Sequence, residues 1–123
     1  MATMHYTQSH EWLLEDDGVI TIGITDHAQE LLGDVVFVGL PDAAQEFSAG
    51  EELVVIESVK AAGGIEAPVA GQVIEVNELL EDSPEMVNED PMGAAWIVKI
   101  QPSETLATEL LMSEEQYRQS MDD

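Results

Sequence analysis

Leu53-Val54-Val55-Ile56-Glu57-Ser58-Val59-Lys60-Ala61-Ala62-Gly63-Gly64-Ile65-Glu66-Ala67-Pro68 stands in the middle of the 123-residue chain. A β-branched apolar run leads into residues 57–62, and a glycine pair followed by Ile65 to Pro68 leads out. Two such runs on either side of a short turn predict a β-hairpin. Lys60 lies ten residues after Gly50 and eleven before Gly71, so the tip falls at or beside it. The chain has only two lysines, Lys60 and Lys99. Most surface lysines serve solubility. This chain has 26 acids for that purpose, and the neighbours of Lys60 are small or apolar. A rare cation set at a turn among small residues is presented to something.

Composition narrows what that something can be. The formal net charge is −23, from 26 acids against three bases. Nothing here could neutralise a run of phosphates, so nucleic acid is excluded as a partner, and anionic membrane surfaces equally. Such charge suits partners with basic docking faces, whose encounter is salt-sensitive, and it also suits a halophilic source. There is no cysteine. The chain therefore offers no disulfide, no thiolate nucleophile and no cysteine metal site, and any thiol chemistry must come from a cofactor. No apolar run approaches the ~20 residues of a spanning helix. Residues 1–7 lack the basic and apolar regions of a signal peptide. A soluble intracellular protein is expected, cytoplasmic in a bacterium and in the mitochondrial matrix in a eukaryote.

Turn signals divide the chain into short elements. Residues 10–14 and 19–24 predict strands joined through Asp17-Gly18. Residues 25–32 predict a two-turn helix, with Asp26 as cap, Gln29 three residues on and Gly33 as exit. Residues 34–38 predict a strand apolar enough to be buried on both faces. Residues 45–50 hold at most a short strand, and residues 53–59 with 65–67 form the lysine hairpin. Residues 71–77 predict another strand. Residues 78–91, with two prolines, read as loop or irregular helix, and residues 95–100 as the last strand. In that strand Trp96, Val98 and Ile100 should share one face and Ile97 and Lys99 the other. Leu106, Leu110 and Leu111 fit a helical stripe, and Ser113 with Gln116 forms a capping box opening a final helix. Six to eight short strands at this spacing favour a sandwich or barrel. Gly50-x-x-Leu-Val-Val-Ile-Glu echoes Gly71-x-Val-Ile-Glu-Val, as a pseudo-symmetric pair of sheets would.

Candidate catalytic groups are sparse. His5 and His10 have no metal-ligand partners at recognisable spacing, and His27 sits in the first turn of a short helix, where surface exposure is expected. There is no Ser–His–Asp pattern and no glycine-rich phosphate loop, so no active site of the chain's own is expected. The remaining chemistry is acylation of the Lys60 amine.

At that point the sequence resembles the H proteins of the glycine cleavage system, over almost its whole length. His10-Glu11-Trp12 resembles the family's opening motif. Gly23-Ile24-Thr25-Asp26-His27-Ala28, then Leu32-Gly33-Asp34-Val35-Val36-Phe37-Val38 and Leu40-Pro41, resemble its next block. Glu57-Ser58-Val59-Lys60-Ala61 resembles the lipoylation motif. Pro68, Gly71, Asn77, Pro84, Asn88, Pro91 and Trp96 fall where the family has them. The resemblance implies a mainly β hybrid barrel-sandwich of the lipoyl and biotinyl kind, with short helices. It implies one lipoyl-carrier domain over residues 1–123 with a C-terminal helical tail over about residues 103–121. It implies lipoate on Lys60, with Glu57 and Gly71 read by a lipoate ligase or octanoyltransferase and Glu11 in a cleft for the arm. A non-catalytic, monomeric shuttle is implied, visiting glycine decarboxylase, aminomethyltransferase and dihydrolipoamide dehydrogenase in turn.

One departure stands out. Gly63-Gly64 occupies the place where the family has Ser-Asp, and the Asp would be a second acid of the arm cleft. Either the loaded arm is less shielded here or another acid compensates, and the glycines should loosen the hairpin. The departure leaves room for an H-like carrier of another lipoate-dependent pathway. A biotinyl carrier is a third reading, disfavoured because Val59 and Ala61 flank Lys60 where biotinyl lysines have methionines. An unmodified interaction module is a fourth. Lys60→Arg separates it from the carriers. The substitution should abolish carrier turnover while leaving the urea midpoint unchanged, because a tip residue buries little surface.

Overall fold

The computed structural model describes residues 3–7, 9–104 and 111–122. Among the described residues, nine strands form two antiparallel sheets. The larger contains β1 (Thr3–Tyr6), β2 (Glu11–Asp16), β3 (Val19–Ile24), β9 (Val98–Pro102), β8 (Gly71–Val76) and β5 (Glu46–Phe47), in that spatial order. The smaller has the order β4 (Val35–Gly39), β6 (Glu52–Ser58), β7 (Ala62–Glu66). Their inner faces meet in one core, to which Leu13, Ile20, Ile22, Val73 and Ile100 come from the larger sheet and Val54, Ile56 and Ile65 from the smaller. Burying such side chains contributes roughly 1.5–3 kcal/mol each, which is what holds strands this short together. The two echoing segments fall in different sheets, β6 in one and β8 in the other.

Several sequence expectations shift. β1 precedes the predicted first strand and pairs with it from Thr3↔Glu15 to Tyr6↔Trp12. Its mixed sequence lacks an alternating signature, so pairing rather than propensity makes it a strand. The helix α1 (Asp26–Leu32) is capped by Thr25, whose Oγ1 accepts from Ala28 N–H at 3.2 Å. Asp26 instead lies in the first turn and accepts from the Gln29 side chain at 3.1 Å. β4 is not buried on both faces, since Val36 and Phe37 are exposed. The last strand begins at Val98, and Val98 and Ile100 share its buried face. Ile97 is also buried, ahead of the strand, with its N–H on Ile22 O. Trp96 leaves that face and packs with Tyr6, Trp12 and Tyr117 in a second cluster. Residues 78–91 contain two single-turn helices, α2 (Leu79–Asp82) and α3 (Met86–Glu89). Each places one side chain, Leu80 and Val87, into the core.

The predicted capping box is present: Ser113 N–H donates to Gln116 Oε1 at 3.0 Å and Gln116 N–H to Ser113 Oγ at 3.2 Å. It opens α4 (Glu114–Asp122). The predicted stripe positions Leu106 and Leu110 lie outside the described residues, and Leu111 packs on the main core. Tyr117 anchors α4. Its ring stacks on Tyr6 at 4.8 Å, and its hydroxyl lies 2.7 Å from both His10 Nδ1 and Thr25 Oγ1. The helix is thereby fixed beside α1 and the start of β2, the region that borders the candidate site. Among the described residues, no helix is long and apolar enough to cross a membrane.

Candidate functional site

Lys60 lies on the turn between β6 and β7. Ser58 shapes that turn. Its N–H donates to Ala61 O at 2.8 Å, and its Oγ accepts from Lys60 N–H at 3.3 Å and from Ala61 N–H at 3.0 Å. A serine hydroxyl that takes two consecutive backbone donors substitutes for ladder bonds the turn cannot make. Val59 and Lys60 are left exposed at the apex, as a presented amine requires.

The apex is also braced from outside the hairpin. Val59 N–H donates to Asp34 O at 3.0 Å, tying it to the connection between α1 and β4. The stem of Lys60 lies over Gly33. A Cβ at Gly33 would stand 2.5 Å from Lys60 Cε, and the glycine's φ of 75° lies where side chains are disfavoured. Asn88 on α3 holds this connection from behind. Its Nδ2 donates to Gly33 O at 2.7 Å and to Gln29 Oε1 at 3.0 Å, and its Oδ1 accepts from Val35 N–H at 2.8 Å. One amide thus joins the end of α1, the start of β4 and, through them, the lysine turn. Sequence reasoning gave Gly33 only a helix exit and Asn88 only a place in a family pattern. The two apolar runs and the place of Lys60 between Gly50 and Gly71 were the legible signal for the turn.

Beside the turn is a cleft of about 200 Å³. Its walls are largely apolar, with Ile24, Leu31, Leu32 and Ile56 among them, and Glu11 and the Gly63–Gly64 edge complete it. Burial pushes the Glu11 carboxyl up to about 7, against a lowering hydrogen bond donated by Thr7 Oγ1 at 3.1 Å, and the charge of Glu66 raises it further. His10, also on the cleft, has its pKa lowered by burial and then by His27, whose ring lies 4.6 Å away. A half-buried carboxyl in an apolar wall is suited to hold a cationic group, which would restore its ionised form.

The glycine pair lies in the strand that follows the turn. Gly63 and Gly64 are β7 residues opposite Ile56 and Val55. A Cβ at Gly64 would collide with the Val54 carbonyl oxygen, so an Asp there would require the backbone to move. Glu66, two residues on, is the acid whose charge reaches Glu11. Glu57 is exposed on β6, paired with Phe37 and Ala62. Gly71 lies in the other sheet, where a Cβ would collide with Gln101 O of β9. Close packing of β8 on β9 therefore already demands glycine at that position.

Two unequal sheets closed on one core, with a C-terminal helix and one lysine displayed on a braced turn, have the form of a carrier domain of the lipoyl and biotinyl kind. A family model described as Glycine cleavage H-protein matches residues 4–123. The glycine cleavage system H proteins of Vibrio atlanticus and Teredinibacter turnerae are 50% and 54% identical over 122 and 121 residues, covering 98% of this chain and 97% and 93% of theirs. That of Chromohalobacter salexigens is 55% identical over 117 residues, 94% of this chain and 89% of its own. A crystal structure of a glycine cleavage system H protein from Mycobacterium marinum matches with a TM-score of 0.87 at 36% identity, over 98% of this chain and 97% of that one. The chain belongs to the glycine cleavage H-protein family, and its role is that of the carrier in glycine cleavage.

Two outcomes follow from this geometry. Because the folded-state pKa of Glu11 is raised from 4.5 to about 7, the folded state binds the extra proton between those values. Stability from this group is therefore present below about pH 4.5 and lost as the pH rises through about 7. Glu11→Gln keeps the acceptor for Thr7 and removes the titration. In urea denaturation it should match the parent near pH 4.5 and exceed it at pH 8. Asn88→Asp removes both donors and sets a carboxylate against Gly33 O and Gln29 Oε1. It should cost about 2 kcal/mol in the same measurement.

Proposed function

We propose that Lys60 is the point of lipoate attachment. On that arm the chain carries the aminomethyl group of glycine from the pyridoxal-phosphate-dependent decarboxylase to the tetrahydrofolate-dependent aminomethyltransferase. The observation that carries this reading is the exposed Lys60 on a turn braced by Ser58, Asp34 and Gly33, next to a cleft that contains one raised-pKa carboxyl. When bound, lipoate supplies the disulfide–dithiol chemistry that a cysteine-free chain lacks. The chain's own part is positional, and it does not catalyse. Lys60 Nζ provides the amide nitrogen, the braces aim it, and the cleft receives the far end of the arm. There Glu11 faces the amine, and Ile24, Leu32 and Ile56 exclude water from it.

Dihydrolipoamide dehydrogenase restores the disulfide in this scheme, and a lipoate ligase or octanoyltransferase loads the lysine, reading Glu57 on the strand that leads to it. Gly71 is the weaker recognition candidate, since packing accounts for it. One domain, working as a monomer in the cytoplasm, fits a shuttle that meets several enzymes in turn. A second reading, an H-like carrier for another lipoate-dependent pathway, is favoured only by Gly63-Gly64, which leaves the β7 side of the cleft without a carboxylate at that point.

Intact mass with peptide mapping tests the assignment, on protein incubated with lipoate and a lipoylating enzyme. A lipoyl increment on Lys60, absent from Lys60→Arg, is expected, followed by glycine-dependent turnover with the decarboxylase. An unmodified Lys60 would overturn the assignment. Loading without glycine-dependent turnover would transfer it to the second pathway.

A further inference from the structure

Exposed large apolar side chains gather around the lysine turn. Val59 is 67% exposed, Leu31 60%, Val36 54% and Phe37 50%. These four come from three elements already joined there. Val59 is at the apex, tied to Asp34 O, and Phe37 pairs with Glu57 three residues before Lys60. Leu31 is on the last turn of α1, just before the Gly33 on which the Lys60 stem rests, and it also lines the cleft.

The β4 edge makes this exposure a built feature. A regular strand turns successive side chains to opposite faces, so one of two neighbours would be buried. Here the pairing with β6 shifts between Val35 and Phe37, and both Val36 and Phe37 face solvent. A bulge that puts two adjacent apolar side chains into water on an edge strand is unfavourable in the free protein. On an isolated domain it would invite association. The acids Glu30, Asp34 and Glu57 are exposed on the same three elements. The only other lysine and the only arginine are engaged elsewhere, Lys99 with Glu75 at 3.9 Å on β8 and Arg118 with Glu114 at 2.7 Å on α4. Once Lys60 is acylated, this surface has apolar and acidic side chains and no lysine or arginine charge.

We propose that Leu31, Val36, Phe37 and Val59 form the docking face through which the loaded carrier seats on its enzymes. The occupant is a protein surface with an apolar floor and an Arg- or Lys-rich rim around the opening that admits the arm. The proposal rests on the carrier reading above. The apolar side chains supply contact area, and the acids supply orientation and a fast, salt-sensitive encounter. The bulge places that contact next to the lysine, so docking and delivery of the arm are one event.

The test uses lipoyl-loaded protein, with loading verified first by intact mass, and glycine decarboxylase as the probe. Val36→Ser combined with Phe37→Ser should raise KM for the carrier about tenfold, as truncation of a small apolar anchor does, with kcat within about twofold and the thermal midpoint held. Leu31→Ser, on a different element, should raise KM as well and guards against a folding defect of the double variant. Ile74→Ser is the control, 44% exposed on β8 of the other sheet, and should leave KM unchanged. Raising the salt should raise the parent's KM. Unchanged KM in loaded, folded Leu31→Ser and double variants would overturn the proposal. So would a parent that sediments as a dimer and a double variant that sediments as a monomer, since the face would then cover a second copy. Failure of Lys60 to load in the parent would remove the carrier reading itself, and the docking face with it.

Discussion

The backbone hydrogen bond from Val59 N–H to Asp34 O is the constraint on which the presentation of Lys60 depends. A two-stranded hairpin tip is free to bend, and a lysine on it would sweep a wide volume. This bond fixes the apex to the connection between α1 and β4. Gly33, with φ 75° and no side chain, lets the Lys60 stem lie against that connection, and Asn88 closes its far side with three hydrogen bonds. The single-turn helix carrying Asn88 has little stability of its own. It is held by Val87 in the core, so the placement of the lysine is coupled to the packing of the domain. The amine is exposed at its end and braced at its root, which suits the proposed arm, since each enzyme would find it in the same place.

Electrostatics act at two ranges on this frame. At long range, a charge of −23 makes the whole molecule attractive to basic surfaces and repels copies of itself, which keeps an apolar lysine face from aggregating. At short range, burial makes one acid, Glu11, a poor anion until a cation joins it. In the proposed relay, the first effect brings partners and the second receives an amine. Among the described residues, Glu75 and Glu114 have partners of opposite charge, each in an exposed or partly exposed pair worth little to stability.

How much was legible depended on whether a feature was local. The hairpin over β6 and β7, the Asp17-Gly18 turn of β2 and β3, and the Ser113–Gln116 capping box each rest on residues within a few positions of one another, and each is present. The lysine and the family resemblance were equally open to reading, because motif order and spacing survive in one dimension. The misreadings have one cause. Thr3 to Tyr6 gives no alternation, and becomes a strand only because β2 offers an edge. Val35 to Val38 is uniformly apolar, which predicts two-sided burial, whereas a bulge and an edge position expose half of it. The glycine pair reads in sequence as part of the turn, and the register assigns it to β7, with Gly64 close against Val54 O.

The sequence by itself determined the chemistry of this protein: two lysines, one of them between small residues, no sulfur nucleophile, and a charge of −23 unsuited to phosphates. These are properties of residue types, and they hold whatever the chain's path. The tertiary structure alone decided where that amine points and what surrounds it. Glu11, Leu31, Gly33, Phe37 and Asn88 are scattered over nearly eighty positions, and none has a role until two sheets close on their common core. Burial then raises the pKa of one carboxyl, the Lys60 stem comes to lie over a bare Gly33, and a shifted register turns an apolar edge outward. All three are consequences of proximity between distant segments, and proximity of that kind is created only when the chain folds.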